Sequence, residues 1–231
     1  MQGKLSIIIP VFNEAETLPR ILQDIHDCQQ SLDQPIECIV VDGGSTDCSV
    51  AVCKKFEVQI LQSVKGRGQQ LAAGACKATG EVLLFLHADC RLSAAHCLTA
   101  LSTIQQKEVF AGGFRLQFSE KNFILRFAEW FNNIRFFFSR IIYGDHGIFI
   151  SRENYFKAGG FSPQPLFEDV DFSRRLRKHG RVILVNLPLV TSSRRFFAGG
   201  VIRTYLKMAV LHILYWVNVS PQRLAKIYQN K

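Results

Sequence analysis

Several acidic, imidazole and cationic residues stand where an apolar run gives way to a loop, and those types in those places can bind phosphate, sugar and metal. Asp42 directly follows the run from Ile36 to Val41 and precedes Gly43-Gly44-Ser45-Thr46-Asp47. A carboxylate at the end of a strand can accept hydrogen bonds from a base or ribose, and the glycines let a ligand approach the backbone. The same residues also make a plain turn in which Ser45 or Thr46 caps the next helix. Asp89, in His87-Ala88-Asp89, ends another apolar run and is placed to hold a divalent cation through hard oxygen ligation, bridging to phosphates. An Asp after a strand is more often a turn former. Glu168-Asp169-x-Asp171 opens a helical pattern, where carboxylates suit the helix dipole; the chemical alternative is a general base at the rim of a cleft. Lys65, Arg67, Arg194 and Arg195 can neutralise phosphate oxygens or stand as solvated surface charges. His146, in Gly144-Asp145-His146-Gly147, can supply a metal ligand or an acceptor contact, although a loop histidine is more often structural.

The elements that must position these residues alternate in the first half. Strand-type runs at Leu5 to Val11, Ile36 to Val41, Val58 to Leu61 and Val82 to Leu86 are separated by helical patterns. The first of these spans Glu14 to Gln30, the second ends at Cys53 and the third is Leu71-Ala72-Ala73-Gly74-Ala75-Cys76-Lys77-Ala78. Such alternation predicts a doubly wound, mostly parallel α/β sheet with ligand loops at the carboxyl ends of its strands. Beyond about Ala94 the pattern changes. Phe110 to Phe118 alternates like an exposed or edge strand, Asn122 to Ile142 is an aromatic-rich helix, and Ile148 to Ser151 reads as a strand. A helix from Glu168 stops at Gly180, Val182 to Val185 is a last strand, and Gly200 to Val219 and Pro221 to Gln229 are terminal helices. No linker interrupts the chain. One domain over residues 1–231 is expected, with a nucleotide-binding half to about 93, an acceptor-side half to about 199, and C-terminal helices.

Composition narrows the class. The 231 residues are 48% hydrophobic and 20% charged with ordinary glycine and proline counts, which excludes disorder as the main state. Lys and Arg total 28 against 19 Asp and Glu, a net +9 that favours anionic partners. Nucleic acid is not the expected one, because RNP-type aromatics, a helix-turn-helix and basic-aromatic strand faces are all missing from the sequence. The seven cysteines form no CxxC pair and are odd in number, arguing against a zinc knuckle or a disulfide framework. The N-terminus lacks a signal-peptide layout, and a cytosolic protein that touches a membrane surface is expected.

In order and spacing, PVFNE, DGGSTD, KGRG, HAD, GDHG, FEDVDFSRRL and SSRRF resemble the inverting glycosyltransferases of family 2, which have the GT-A fold, from about Leu5 to Phe197. A small bacterial subgroup, the arsenosugar-biosynthesis and carotenoid-acid glycosyltransferases, is the nearest resemblance, and the ending VSPQRLAKIY also bears on it. The resemblance implies sugar transfer with inversion from a nucleoside diphosphate donor, and its Asp42 pattern favours UDP-hexose, with GDP-sugars second. It assigns Pro10, Phe12, Asn13, Glu14, Asp42, Gly44, Lys65, Gly66 and Arg67 to the nucleotide-sugar, with His87 and Ala88 beside it. Asp89 becomes the ligand for Mg²⁺ or Mn²⁺, with His146 a second candidate, and Asp169 the catalytic base with Glu168 next to it. Arg194 and Arg195 fall near the family's QxxRW position, whose Gln and Trp are absent. His87 replaces the first Asp of the family's DxD, which removes a hard ligand and tilts metal preference toward Mn²⁺.

Two rival classes are a binding module without catalysis and a nucleotidyltransferase; the downstream Glu168-Asp169 favours glycosyl transfer over the latter. A membrane contact is the remaining expectation. Tyr205, Met208, Ala209, His212, Tyr215 and Trp216 share one side of the first terminal helix near Arg203 and Lys207. The aromatics of 123–142 are flanked by Arg126, Arg135 and Arg140. Such surfaces suit anionic head groups and a lipid-like acceptor.

Overall fold

The computed structural model describes residues 3–194 and 200–229. Strands β1 (Leu5–Val11), β2 (Ile36–Asp42), β3 (Gln59–Gln62), β4 (Val82–Phe85), β5 (Val109–Phe118), β6 (Ile148–Ser151) and β7 (Arg181–Thr191) form one sheet in the order β3-β2-β1-β4-β6-β5-β7. The first four pair in parallel, β5 pairs with β7 in parallel, and β6 runs opposite to both of its neighbours. Continuous apolar runs become interior strands because both faces are covered: Leu5, Ile7 and Ile9 pack one side, while Ile8 packs the other with Ile39 and Val41.

Helices α1 (Leu18–Ser31), α2 (Ser49–Cys53), α3 (Arg67–Lys77) and α4 (Ala94–Ile104) connect the early strands. Helix α5 (Phe123–Ser139), a 3₁₀ turn at Gly144–His146, α6 (Arg152–Lys157), α7 (Glu168–His179), α8 (Val201–Trp216) and α9 (Pro221–Gln229) follow. Pro19, in the first turn of α1, starts that helix four residues later than Glu14, because its fixed φ suits the first turn. Gly66 (φ +150°) precedes α3, so Arg67 is the first helical residue rather than part of the loop.

Strand β5 corrects the expectation of an exposed or edge strand. It lies between β6 and β7 and buries all but Arg115 and, in part, Gln117. Its short apolar–polar alternation hides an inward Gly112-Gly113 pair; a Cβ at Gly112 would lie 2.3 Å from the Phe149 ring. β7 is the edge strand and is longer than Val182 to Val185; Pro188 is tolerated there as proline is on sheet edges.

Because β6 is only four residues long, it pairs with β5 at Ala111 and Gly112 alone. The remaining backbone groups on that side of β5 need other partners. His146 Nδ1 donates to the Phe114 carbonyl at 2.9 Å, Asn133 accepts from and donates to Leu116 at 2.9 and 3.0 Å, and Glu129 accepts from the Phe118 N–H at 2.6 Å. Three side chains thus continue the ladder where the strand stops, two of them from α5.

Candidate active site

Parallel pairing brings the loops after β1, β2 and β4 to one end of the sheet. The first two are knitted together by side chains. The Asn13 N–H donates to Ser45 Oγ at 2.9 Å and Asn13 Oδ1 accepts from the Thr46 N–H at 2.8 Å. The N–H groups of Glu14 and Ala15 donate to Ser49 Oγ and Asp47 Oδ2. Asp42 is buried and closes its own turn, accepting from the N–H groups of Gly44 and Ser45 at 3.1 Å each and from Gln62 at 3.4 Å. The turn is formed, but neither Ser45 nor Thr46 caps α2, whose N-cap is Cys48 with no side-chain cap, because both are held by Asn13 instead; the two oxygens of the Asp42 carboxylate retain capacity for a ligand. Gly44 adopts φ +86°, with open space where a side chain would stand. Lys65 Nζ lies 3.6 Å over the Phe12 ring, joining two of the residues assigned to the nucleotide. Pro10 sits in β1 opposite Val41.

The second group meets around Arg67. Its guanidinium pairs with Glu168 through Nε, stands 3.4 Å from Asp169 Oδ2, and reaches His87 Nε2 at 3.1 Å. Close approach of α3 to α7 makes this possible: a Cβ at Gly68 would lie 2.2 Å from the Ser162 carbonyl and 3.2 Å from Glu168 Cβ. Glu168 is 1% exposed and Asp169 6%. Burial pushes the Glu168 carboxyl up despite Arg67 beside it, and the like charge of Asp169 adds to the rise. Burial works against the Arg67 charge, but the carboxylates of Glu168 and Asp169 outweigh it and hold the guanidinium more firmly protonated than usual. Asp169 Oδ2 also accepts from the Gly144 N–H at 2.8 Å, and Oδ1 from the Val170 N–H at 2.8 Å. A Cβ at Gly144 would stand 2.7 Å from His87 Nε2, so any larger residue there would push the imidazole aside. Antiparallel β4–β6 pairing, with Phe85 opposite Ile148, delivers the Gly144–His146 turn to the end of β4 beside His87. Arg67, His87, Gly144, Glu168 and Asp169 line one cleft with Leu71, Phe85, Leu86, Ile148 and Phe161.

Other sequence-assigned residues lie elsewhere. Asp89 Oδ1 accepts from Thr191 Oγ1 at 3.3 Å, and a bridge between Cys90 and Thr191 ties this loop to the end of β7. Ala88 is buried in the main core. Arg194 pairs with Glu16 at 2.5 Å and Glu14 at 3.3 Å on the surface, and Arg195 lies outside the described residues. His146 is fully buried, and burial lowers its affinity for a proton. With Nδ1 donating to Phe114, Nε2 is the lone-pair nitrogen, and it faces Asp145 Oδ1 at 3.9 Å. Neither atom has a hydrogen-bond partner among the described residues. Two acceptors facing each other call for a molecule with two donor hydrogens, such as water, between them.

Among the described residues, no group of three or more His, Cys, Asp or Glu side chains is arranged to hold a metal ion. His87 spends its Nε2 on Arg67. Asp89 therefore fits a divalent cation only as a single hard ligand, with the remaining positions left to diphosphate oxygens and water.

Sequence reasoning missed three residues. Gln70 is 4% exposed, donates from Nε2 to the carbonyls of Val11 and Val41 at 2.8 Å each, and so locks α3 onto the ends of β1 and β2. Its signal is a polar residue one turn before Gly74 on the buried stripe of α3. Gly144 and Asp145 were visible only as companions of His146.

A cleft of buried carboxylates and a cation at the carboxyl ends of a mixed α/β sheet is the layout of a sugar-nucleotide enzyme class, and comparison agrees. The model of glycosyl transferase family 2 matches residues 6–162, more than half of the sequence, and the chain belongs to that family. The undecaprenyl-phosphate 4-deoxy-4-formamido-L-arabinose transferase of Proteus mirabilis is 36% identical over 96 residues, 38% of this chain and 29% of that protein. The 4,4'-diaponeurosporenoate glycosyltransferase of Staphylococcus haemolyticus is 26% identical over 121 residues, 49% of this chain and 31% of that one. The chain thus spans less than a third of the length of these relatives. Two solved structures share the GT-A fold. A Pyrobaculum calidifontis mannosyltransferase in complex with GDP-Man and Mn²⁺ has a TM-score of 0.66 at 20% identity, covering 82% of this chain and 57% of that one. A Mycobacterium tuberculosis glucosyl-3-phosphoglycerate synthase with Mn²⁺, UDP and glucosyl-3-phosphoglycerate has 0.65 at 16%, covering 92% and 79%.

Proposed function

We propose that this chain transfers the hexosyl group of a UDP-hexose to a hydroxyl or carboxyl group of a lipid-like acceptor, with inversion at the anomeric carbon and UDP as the leaving group. The observation that carries the reading is Asp169: a buried carboxylate held by the Gly144 N–H and Arg67 in a cleft at the end of β4. Asp169 takes the proton of the acceptor hydroxyl as that oxygen attacks the anomeric carbon. The bond from carbon to the diphosphate oxygen breaks on the opposite face, and the electron pair leaves with UDP. Arg67, itself held by Glu168, orients the base and balances its charge. Asp42, Asn13 and Gly44 receive the nucleoside, while Lys65 and Phe12 flank it. Asp89 would hold Mg²⁺ or Mn²⁺ against the diphosphate, where the cation supplies charge stabilisation for the leaving group. Complexes of the two structural relatives with nucleotide and Mn²⁺ support the donor and the metal, and the undecaprenyl-phosphate and diaponeurosporenoate transferases support the acceptor class. Peripheral contact with an anionic membrane belongs to the same reading.

The test is a donor screen with UDP-, GDP- and dTDP-hexoses and Mn²⁺ or Mg²⁺, read by nucleoside diphosphate release and by product mass with a polyprenol or a carotenoid acid as acceptor. UDP release with a product heavier by one hexosyl unit is expected. Transfer of a nucleotidyl group, or no turnover of any sugar nucleotide, overturns the assignment.

A further inference from the structure

Helix α5 turns a mixed face inward, burying three polar side chains alongside Leu125, Ala128 and Phe136. The residues it buries include Glu129, Asn132 and Asn133, whereas Phe123 is 86% exposed, Phe127 60%, Trp130 55%, Phe131 48% and Phe138 87%. The polar face points inward because the unpaired side of β5 needs hydrogen-bond partners, which Asn133 and Glu129 supply. Water gives the apolar face no corresponding benefit, and a contiguous apolar surface of this kind marks a contact site.

The surface continues onto α8. Tyr205 joins the two helices, its hydroxyl 3.1 Å from Asn132 Nδ2. Met208 and Tyr215 turn inward to a small core around Phe167, Leu211 and Leu224, so the side of α8 with most aromatics faces the protein. The opposite side exposes Leu206, Val210, Ile213 and Val217 to between 53% and 65%. Trp216 is 58% exposed, so both tryptophans of the chain stand on these two helices at the surface.

Charge decides the occupant. Residues 121–143 contain Lys121, Arg126, Arg135 and Arg140, and their one acidic residue, Glu129, is buried against β5 and paired with Arg126. Residues 200–231 contain five cations and no acidic residue. A second copy of this chain, docked through a two-fold axis, would set these cations against each other without a carboxylate between them. A bilayer rich in anionic lipid answers both features, taking aromatic side chains at interfacial depth and Lys and Arg among its head groups. Among the described residues no helix is long and apolar enough to cross a membrane, so the contact lies along the surface.

We infer that the outward faces of α5 and α8 form one docking surface for an anionic lipid bilayer. This deepens, and rests on, the reading of a lipid-like acceptor. The inner side of α8 supports the connection, since His212 meets Phe167 edge-on at 4.6 Å and Tyr215 lies tilted against it at 4.9 Å between ring centroids, directly before Glu168-Asp169.

Vesicle sedimentation tests it. The wild-type chain should pellet with phosphatidylglycerol-rich vesicles at low salt, lose about tenfold or more of that binding in ~0.5 M salt, and stay in the supernatant with phosphatidylcholine alone. The combined variant Phe127→Ser, Trp130→Ser, Phe131→Ser should lose vesicle binding while keeping the wild-type melting temperature. Arg203→Glu with Lys226→Glu should lose it as well. UDP binding by calorimetry on the same samples reports the donor site separately. Intact UDP binding with no pelleting at low salt overturns the docking surface and leaves the transferase reading standing. Pelleting by the aromatic variant, equal binding to neutral vesicles, or a dimer dispersed by that variant in place of vesicle binding overturns it too.

Discussion

Helices α1 and α5 are both amphipathic, and they face opposite ways. Helix α1 buries Leu18, Ile21, Leu22, Ile25 and Cys28 against β1 and β2 and leaves Arg20, Gln23 and Asp27 in water. Helix α5 buries Glu129, Asn132 and Asn133 together with Leu125, Ala128 and Phe136, and leaves Phe123, Phe127, Phe131, Phe137 and Phe138 outside. The difference follows from what each helix covers. Strands β1 and β2 pair with each other along their full length and offer α1 only side chains, whereas the β6 side of β5 beyond Gly112 offers α5 N–H and carbonyl groups that no strand pairs. A helix placed beside an unpaired strand edge must supply polar groups there, and its apolar stripe is then free for another partner.

The largest effect expected from this contrast is in α1. Leu22→Ala should cost about 2–5 kcal/mol in chemical denaturation, because a close-packed core cannot collapse around the lost methyls. Phe127→Ser on α5 should change the same measurement by less than about 0.5 kcal/mol, although it removes a larger apolar side chain. A comparable loss from both would show that the α5 face is covered within the folded chain. Next in size, Asn133→Ala should cost about 1–3 kcal/mol, because it strands the N–H and carbonyl of Leu116 in the interior. A neutral result would remove the explanation for the inverted helix.

A smaller effect is expected with pH. His96, His146 and His212 are buried, and burial lowers each below the ordinary value of 6.5. Their unfolded forms therefore take up protons first on acidification. Stability is full above about pH 6.5 and falls as pH drops below it, giving a lower melting temperature at about pH 5.5 than at about pH 7.5. His146→Gln should lower the melting temperature at the higher pH and flatten this dependence; an unchanged pH slope would mean that His146 is charged in the folded protein.

Much of the loop end of β1 and β2 was legible because its contacts are local. The runs of β1 and β2 are continuous in sequence, and the loops that follow them hold Asn13, Asp42 and Gly44 within a few residues of each strand end. Asp169 was legible through its motif and its place at the start of a helix. The partners of Asp169 were not. Arg67 and Gly144 lie 102 and 25 residues away from it, and only the β4–β6 pairing and the α3–α7 packing bring them together. Arg67 reads as a phosphate ligand in sequence and stands on the carboxylates in the structure. The orientation of α5 was likewise hidden, because aromatic periodicity reveals a stripe and only the incomplete pairing of β5 shows which way it faces.

The central claim is that Asp169 removes the acceptor proton in a cleft whose donor-binding parts are separate from it. Asp169→Asn measures this most directly, because the amide keeps the side chain's shape and its contact region while removing the base. Transfer should fall by roughly a hundredfold to ten-thousandfold, with the dissociation constant for UDP in the presence of Mn²⁺ within about threefold of wild type. Near-wild-type transfer by Asp169→Asn in the same assay would contradict it.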